Sequence, residues 1–166
     1  YGLVGSEMCI RDRLTIIGLN EDGPSPAARE ALARAELIFG GARHLALAQA
    51  GGRGRPWPVP FCIDPLLACR GMRVVALCSG DPFWFGAGSL LAQALPAEEW
   101  VALPAPSTFA LAAAKLGWRL EETTCLGLHA APFALARAHL QRGAKLICLL
   151  RDGASVPGFA AYLTDL

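Results

Sequence analysis

Short apolar runs alternate with amphipathic stretches along this chain, and Gly, Pro, Asn and Asp separate them. Leu14-Thr15-Ile16-Ile17 reads as a short buried strand, ended by the turn Gly18-Leu19-Asn20-Glu21-Asp22-Gly23. Ser25 at an N-cap and Pro26 at the first helical position predict a helix over 27–35. Leu37-Ile38-Phe39 is a second strand closed by Gly40-Gly41, and 42–50 reads as helix. The Gly/Pro/Arg stretch 51–60 reads as a loop, and a short helix around 65–69 leads into a strand over 73–77. A helix over 88–94, a strand over 100–103 and a helix capped by Ser107 and running to Leu116 follow. After Gly117 the pattern continues with a strand over 123–128, a helix over 133–141 and a strand over 145–150. The turn Arg151-Asp152-Gly153 then leads to a helix from about 156.

This alternation implies an α/β fold with parallel strands joined by crossovers. It divides into an N-terminal α/β domain over 14–117 and the start of a smaller α/β domain over 118–166. Residues 160–166 look like a helix without a stop signal, so the second domain is expected to be truncated. Residues 1–13 show no period and lack the layout of a signal peptide, and are expected to be an extraneous leader.

Composition narrows the class. At 166 residues the chain has room for about one domain, and a hydrophobic fraction of 54% argues for a well-buried core. The net charge of +1 gives no support to a broad nucleic-acid surface. Every apolar run is interrupted before the ~18 residues a membrane span needs. The six cysteines form no C-x-x-C pair, which argues for free thiols, a reducing cytoplasm and no metal site.

The chemistry concentrates in turns that follow strands. Ser79-Gly80-Asp81-Pro82-Phe83-Trp84-Phe85-Gly86 directly follows the apolar run 74–78. Gly80 lets a ligand approach the backbone, Asp81 supplies an acceptor, and Pro82 stiffens the corner. With the turns 18–23 and 104–107 it would gather at one edge of a parallel sheet, where open α/β sheets bind small ligands. The turn 18–23 lacks the dinucleotide fingerprint G-x-G-x-x-G. No nucleophile, base and orienting acid stand at a recognisable spacing, so any reaction would rely on positioning. His129 ends a strand and is a candidate site residue, whereas His139 sits between Arg137 and Arg142 on a solvated face.

From Leu14 to Leu166 the chain resembles the tetrapyrrole methylases, and within them the precorrin-7 (precorrin-6Y) C-5 methyltransferases of cobalamin biosynthesis. The resemblance is carried by 18–23 with Ser25-Pro26-Ala27-Ala28-Arg29, by Phe39-Gly40-Gly41-Ala42-Arg43-His44-Leu45, and by 79–86. Pro104-Ala105-Pro106-Ser107 with Leu116-Gly117-Trp118, and Leu128-His129, extend it. Asn20 and Glu21 stand where that family more usually has Gly and Pro.

The resemblance implies a two-domain fold with a parallel-sheet N-terminal domain, and S-adenosylmethionine as methyl donor in the cleft between the domains. By carry-over, Gly80, Asp81, Trp84, Ser107, Thr108, His129 and Gly153 bind this cofactor, and Asp81 assists proton loss as a catalytic residue. A ring carbon of the corrinoid precursor attacks the methyl in line, so alignment supplies the acceleration. Arg43, His44, Arg53 and Arg55, with Trp57, are candidates for holding the anionic tetrapyrrole. A homodimer and a decarboxylating C-15 methylase partner domain follow from the same resemblance, with no nucleic acid or membrane partner. The alternatives are a methylase of this fold acting on ribosomal RNA, and an inactive, truncated ligand-binding fragment.

Overall fold

The computed structural model describes residues 14–166; the leader expected at 1–13, with Cys9, lies outside the described residues. Contacts divide the chain into two compact units that meet between Ser107 and Thr108, upstream of the boundary expected at Gly117. The shift has a packing reason. The helix Thr108–Leu116 contacts the strand Leu146–Leu149 and the 3₁₀ turn Leu120–Glu122, so it belongs to the second unit.

The first unit is a five-stranded sheet: β1 (Leu14–Leu19), β2 (Leu37–Gly40), β3 (Gly54–Pro56), β4 (Val74–Ser79) and β5 (Trp100–Leu103). Its order is β3-β2-β4-β1-β5, and all pairs are parallel. Side chains alternate between two faces, and each face has its own core. Leu14, Ile16, Phe39, Val74, Ala76 and Cys78 point to one face, where Leu66, Leu91 and Leu95 cover them. Ile17, Leu19, Ile38, Val75 and Leu77 point to the other, against Ala28, Leu32 and Ala50. The helix α1 (Pro26–Arg34) supplies Ala28 and Leu32, whereas α3 (Asp64–Leu67) and α4 (Gly88–Ala94) supply Leu66 and Leu91. The short α2 (Ala42–Leu47) lies between β2 and β3 in sequence. Near-continuous apolar runs such as β4 are what a strand buried on both faces requires.

Local signals behave as the sequence predicts at α1. Ser25 Oγ accepts from Ala28 N at 3.2 Å and Pro26 opens the helix. Two elements differ. The loop expected over 51–60 contains β3, an edge strand with no large apolar residue, and Pro56 is tolerated there because the edge needs no further donor. The helix expected over 42–50 stops at Leu47, where Gln49 turns to φ 49° and Ala50 N returns to Leu45 O at 3.0 Å.

The second unit holds α5 (Thr108–Leu116), β6 (Thr124–Gly127), β7 (Leu146–Leu149) and α6 (Ser155–Thr164), with β6 and β7 paired in parallel. The expected helix over 133–141 is a 3₁₀ segment, Phe133–His139, after Pro132. Among the described residues, no helix is long and apolar enough to cross a membrane.

Candidate functional site

The chain leaves β1 toward one face of the sheet, through α1, and leaves the adjacent β4 toward the opposite face, through α4. Neighbouring strands whose connections diverge in this way open a crevice at their carboxyl ends, the usual ligand edge of an open α/β sheet.

Main-chain atoms hold that edge together. Gly80 N donates to Leu19 O at 2.7 Å, and Ala105 N donates to Gly80 O at 3.3 Å. The turns after β1, β4 and β5 are thus joined in a row, which is the gathering expected of three parallel strand ends. Gly80 sits at φ 58°, the left-handed region that favours glycine. Gly18 faces the same carbonyl; a Cβ there would lie 1.8 Å from Gly80 O and 2.6 Å from Ala105 N. Gly18 is therefore a close-approach residue at the heart of the edge, a role the turn sequence alone did not reveal.

The 79–88 loop is equally constrained. Asp81 Oδ1 accepts from Phe83 N at 2.8 Å, so Asp81 builds its own turn. Its second carboxylate oxygen is engaged by no described residue. Pro82 is fully buried, and a Cβ on Gly86 or Gly88 would meet Pro82 O at 2.5 or 2.6 Å. The aromatic rings that follow stay at the surface: Phe83, Trp84 and Phe85 are 41%, 40% and 55% exposed. Phe83 leans on Trp100 at 5.7 Å between ring centroids. Cys78 lies beneath the loop, and burial pushes its thiol up, opposed by hydrogen bonds from the Ala87 and Gly88 backbone. A buried thiol held protonated is packing, not a nucleophile.

The candidate substrate contacts separate into different environments. Arg43 pairs with Glu21, tying α2 to the turn after β1. His44 is half-buried, and burial first, then the neighbouring Arg43 charge, pushes its imidazole down, with Glu21 opposing. It is therefore mainly neutral at pH 7, and its buried Nε2 has no hydrogen-bond partner among the described residues. A cationic anchor was expected here; a neutral imidazole fills the place. Arg53 differs most from expectation. Its Nη1 donates to Leu32 O and Ala35 O, both at 2.8 Å, so it clamps the carboxyl end of α1. Arg55 Nη1 donates to Gly52 O and Gly54 O within its own loop. Trp57 stacks between Phe39 and Phe61, at 5.6 and 5.2 Å.

In the second unit, the parallel register brings the residues after β6 and β7 to one edge. Leu128 N extends the ladder to Leu149 O at 2.8 Å, and Arg151 Nε reaches His129 O at 3.5 Å. A groove of about 310 Å³ there is lined by Leu128, His129, Pro132, Phe133, Arg151 and Ser155. Asp152 Oδ1 accepts from Ser155 N and Oγ at 2.9 and 2.8 Å, and these bonds, led by the hydroxyl, draw its carboxyl down. Gly153 meets no atom within 4 Å of an added Cβ, so its backbone is open. Ser107 is 8% exposed, the one buried polar residue among those described, and Thr108 opens α5.

The donors and acceptors on the first unit's edge fit a nucleoside-bearing cofactor. The Asp81 oxygen that no described residue engages suits hydroxyl or amino donors and Trp84 offers an aromatic surface, whereas Gly80, expected to admit a ligand to its backbone, is buried with its N–H and C=O already bonded to Leu19 and Ala105. The arrangement can orient a ligand, but it places no activated nucleophile.

Together these features define an open, parallel α/β protein with a ligand edge at a strand switch point. The family model for Tetrapyrrole (Corrin/Porphyrin) Methylases matches residues 14–166, and the chain belongs to that family. It is 41% identical over 159 residues to a precorrin-6Y C(5,15)-methyltransferase [decarboxylating] from Sinorhizobium, covering 92% of this chain and 38% of that protein. It is 34% identical over 111 residues to the cobalt-precorrin-7 C(5)-methyltransferase of Salmonella typhimurium, covering 63% of this chain and 55% of that one. The chain thus spans about two fifths to just over half the length of these relatives. Among solved structures it resembles the precorrin-6Y methylase CbiE from Archaeoglobus fulgidus, with a TM-score of 0.63 and 26% identity, over 83% of this chain and 72% of that one.

Proposed function

We propose that the chain methylates C-5 of a corrinoid precursor of the precorrin-6Y or precorrin-7 type, with S-adenosylmethionine as donor, in cobalamin biosynthesis. The observation that carries this reading is the edge at Gly18, Gly80 and Ala105, found in a chain 41% identical to a C(5,15)-methyltransferase along most of its length. When bound, the cofactor supplies a methyl group already activated as a sulfonium. The residues then have positional tasks. Gly80 shapes the left-handed turn that presents the site, the Asp81 oxygen that no described residue engages accepts from donors on the ligand, and Trp84 and Ser107 complete the first unit's set. Fixing the reacting groups in line is worth up to ~7–11 kcal/mol in favourable cases. Asp81 is also the carboxylate available to take up a proton, at the oxygen not held by Phe83 N.

Arg43, His44 and Arg55 remain the candidates for the anionic tetrapyrrole. Arg43 would exchange its exposed Glu21 partner for a substrate carboxylate at little cost, since exposed pairs contribute about 0–1 kcal/mol. Arg53 leaves this set because its guanidinium holds α1. The reading also takes a decarboxylating C-15 methylating domain as functional partner, because the Sinorhizobium relative is named for both positions. It further includes a cytoplasmic setting and a homodimer, which sedimentation of the purified protein would test.

Mass spectrometry of precorrin-7 incubated with the protein and S-adenosylmethionine tests the activity. A gain of one methyl is expected, and an unchanged substrate mass at a protein concentration that binds cofactor refutes it.

A further inference from the structure

We infer that Glu21 is an internal competitor of the tetrapyrrole: its carboxylate occupies the Arg43 guanidinium that a substrate carboxylate must take, an assignment that rests on the methylase reading above. Glu21 follows β1 and Arg43 follows β2, and β4 lies between those two strands in the sheet. Their ion pair therefore links the carboxyl ends that flank β4, the strand that delivers Gly80 and Asp81. An anion held on Arg43 is thus one strand over from the Asp81 turn. The other described ion pairs of this unit lie elsewhere. Arg73–Glu36 and Arg70–Glu99 stand where β2, β4 and β5 begin, and Arg34–Glu30 lies within α1. Among the described residues, Glu21–Arg43 is the one ion pair of the ligand edge.

The pair does little for the turn that carries it. Asn20 closes that turn unaided: its Oδ1 accepts from Asp22 N at 3.3 Å and its carbonyl accepts from Gly23 N at 3.1 Å. Both partners of the ion pair are exposed, and such pairs add little to folding. The Glu21 charge also reaches the neighbouring candidate, His44. Burial and then the Arg43 charge push that imidazole down, and Glu21 opposes them. One carboxylate of the chain therefore acts on two of the three groups assigned to an incoming anion. An arriving carboxylate meets a guanidinium that already holds an anion in the same kind of contact, so exchange rather than free capture sets its affinity. Small against folding, that exchange still reads as a several-fold change in binding.

The test titrates two probes, uroporphyrin III as a flat polycarboxylate tetrapyrrole and S-adenosylhomocysteine for the cofactor, into single and double variants. E21Q removes the competing charge and keeps the side-chain length. At low salt it should tighten uroporphyrin binding by about three- to fivefold. S-adenosylhomocysteine binding should stay within about twofold, because main-chain atoms join the edge. D22N removes the adjacent charge, which has no ion-pair partner among the described residues, and should change porphyrin affinity by less than about 1.5-fold. R43M should weaken porphyrin binding, and adding E21Q in that background should have no effect, since nothing is left to compete for. Unchanged or weaker porphyrin binding in E21Q overturns the competitor alone. So does an equal gain in D22N, wild-type affinity in R43M, or a gain from E21Q that survives in R43M. Wild-type protein that binds neither probe overturns the methylase reading and the competitor with it.

Discussion

Replacing Gly18 by alanine tests the edge at its tightest point. The added Cβ would lie 1.8 Å from Gly80 O, 2.6 Å from Ala105 N and 3.0 Å from Gly80 C, all main-chain atoms that no rotamer change can remove. An ordinary carbon–oxygen contact is about 3.3 Å, so the carbonyl must retreat by about 1.5 Å. That movement disturbs the bonds from Gly80 N to Leu19 O and from Ala105 N to Gly80 O. Two weakened hydrogen bonds at about 0.5–1.5 kcal/mol each, added to overpacking of about 1–3 kcal/mol, give a loss of about 2–6 kcal/mol. Urea unfolding followed by circular dichroism reads the stability, and calorimetry reads S-adenosylmethionine binding. Gly153→Ala is the control, since its Cβ meets nothing within 4 Å and should change stability by less than about 0.5 kcal/mol. If Gly18→Ala unfolds within 0.5 kcal/mol of wild type, roughly the spread of a neutral surface change, the three turns are not joined as described.

Asp81→Asn keeps an oxygen to accept from Phe83 N but loses the charged one, so stability should hold while cofactor affinity falls about tenfold, and unchanged affinity in a calorimeter would remove Asp81 from the site. Arg53→Ala should cost about 1–3 kcal/mol in urea unfolding by taking the guanidinium donor from Leu32 O and Ala35 O, with porphyrin affinity unchanged; the opposite pattern would restore Arg53 as a substrate contact. His44 is held below its usual pKa by burial, so its neutral form is favoured in the folded state and the unfolded chain binds the extra proton. The stability it contributes is present above the unfolded value of about 6.5 and is lost as pH falls through the lower folded value. His44→Phe should flatten the decline in Tm between about pH 7.5 and 5.5, and an unchanged slope would refute the burial argument.

Much of the fold is legible because β1, β2 and β4 are buried and, with the half-buried β5, read as apolar runs. The strand β3 is not, because Gly54-Arg55-Pro56 contributes backbone pairing at an edge and no apolar side chain. Asp81 and Gly80 are legible as a strand-end turn, since Gly-Asp-Pro carries its conformational restriction in the residues themselves. Gly18 is not legible as a packing residue, because the atom it must avoid belongs to a turn some sixty positions away. The clamp that Arg53 makes on α1 is hidden for the same reason. An arginine in a Gly/Pro loop looks solvated until α1 is folded against it.

The unusual first turn shows how the edge tolerates sequence change. The atoms that join it are Leu19 O, Gly80 N, Gly80 O and Ala105 N, all main chain, so side chains beyond Gly18 do not enter the join. Asn20, where the family more usually has glycine, makes its own turn: its Oδ1 accepts from Asp22 N at 3.3 Å and its carbonyl accepts from Gly23 N at 3.1 Å. Glu21, in the place of proline, reaches Arg43. Both substitutions act one step outward from the Gly18–Gly80 contact and leave it intact. An edge joined through backbone can therefore change the side chains around it without giving up the contacts between the turns.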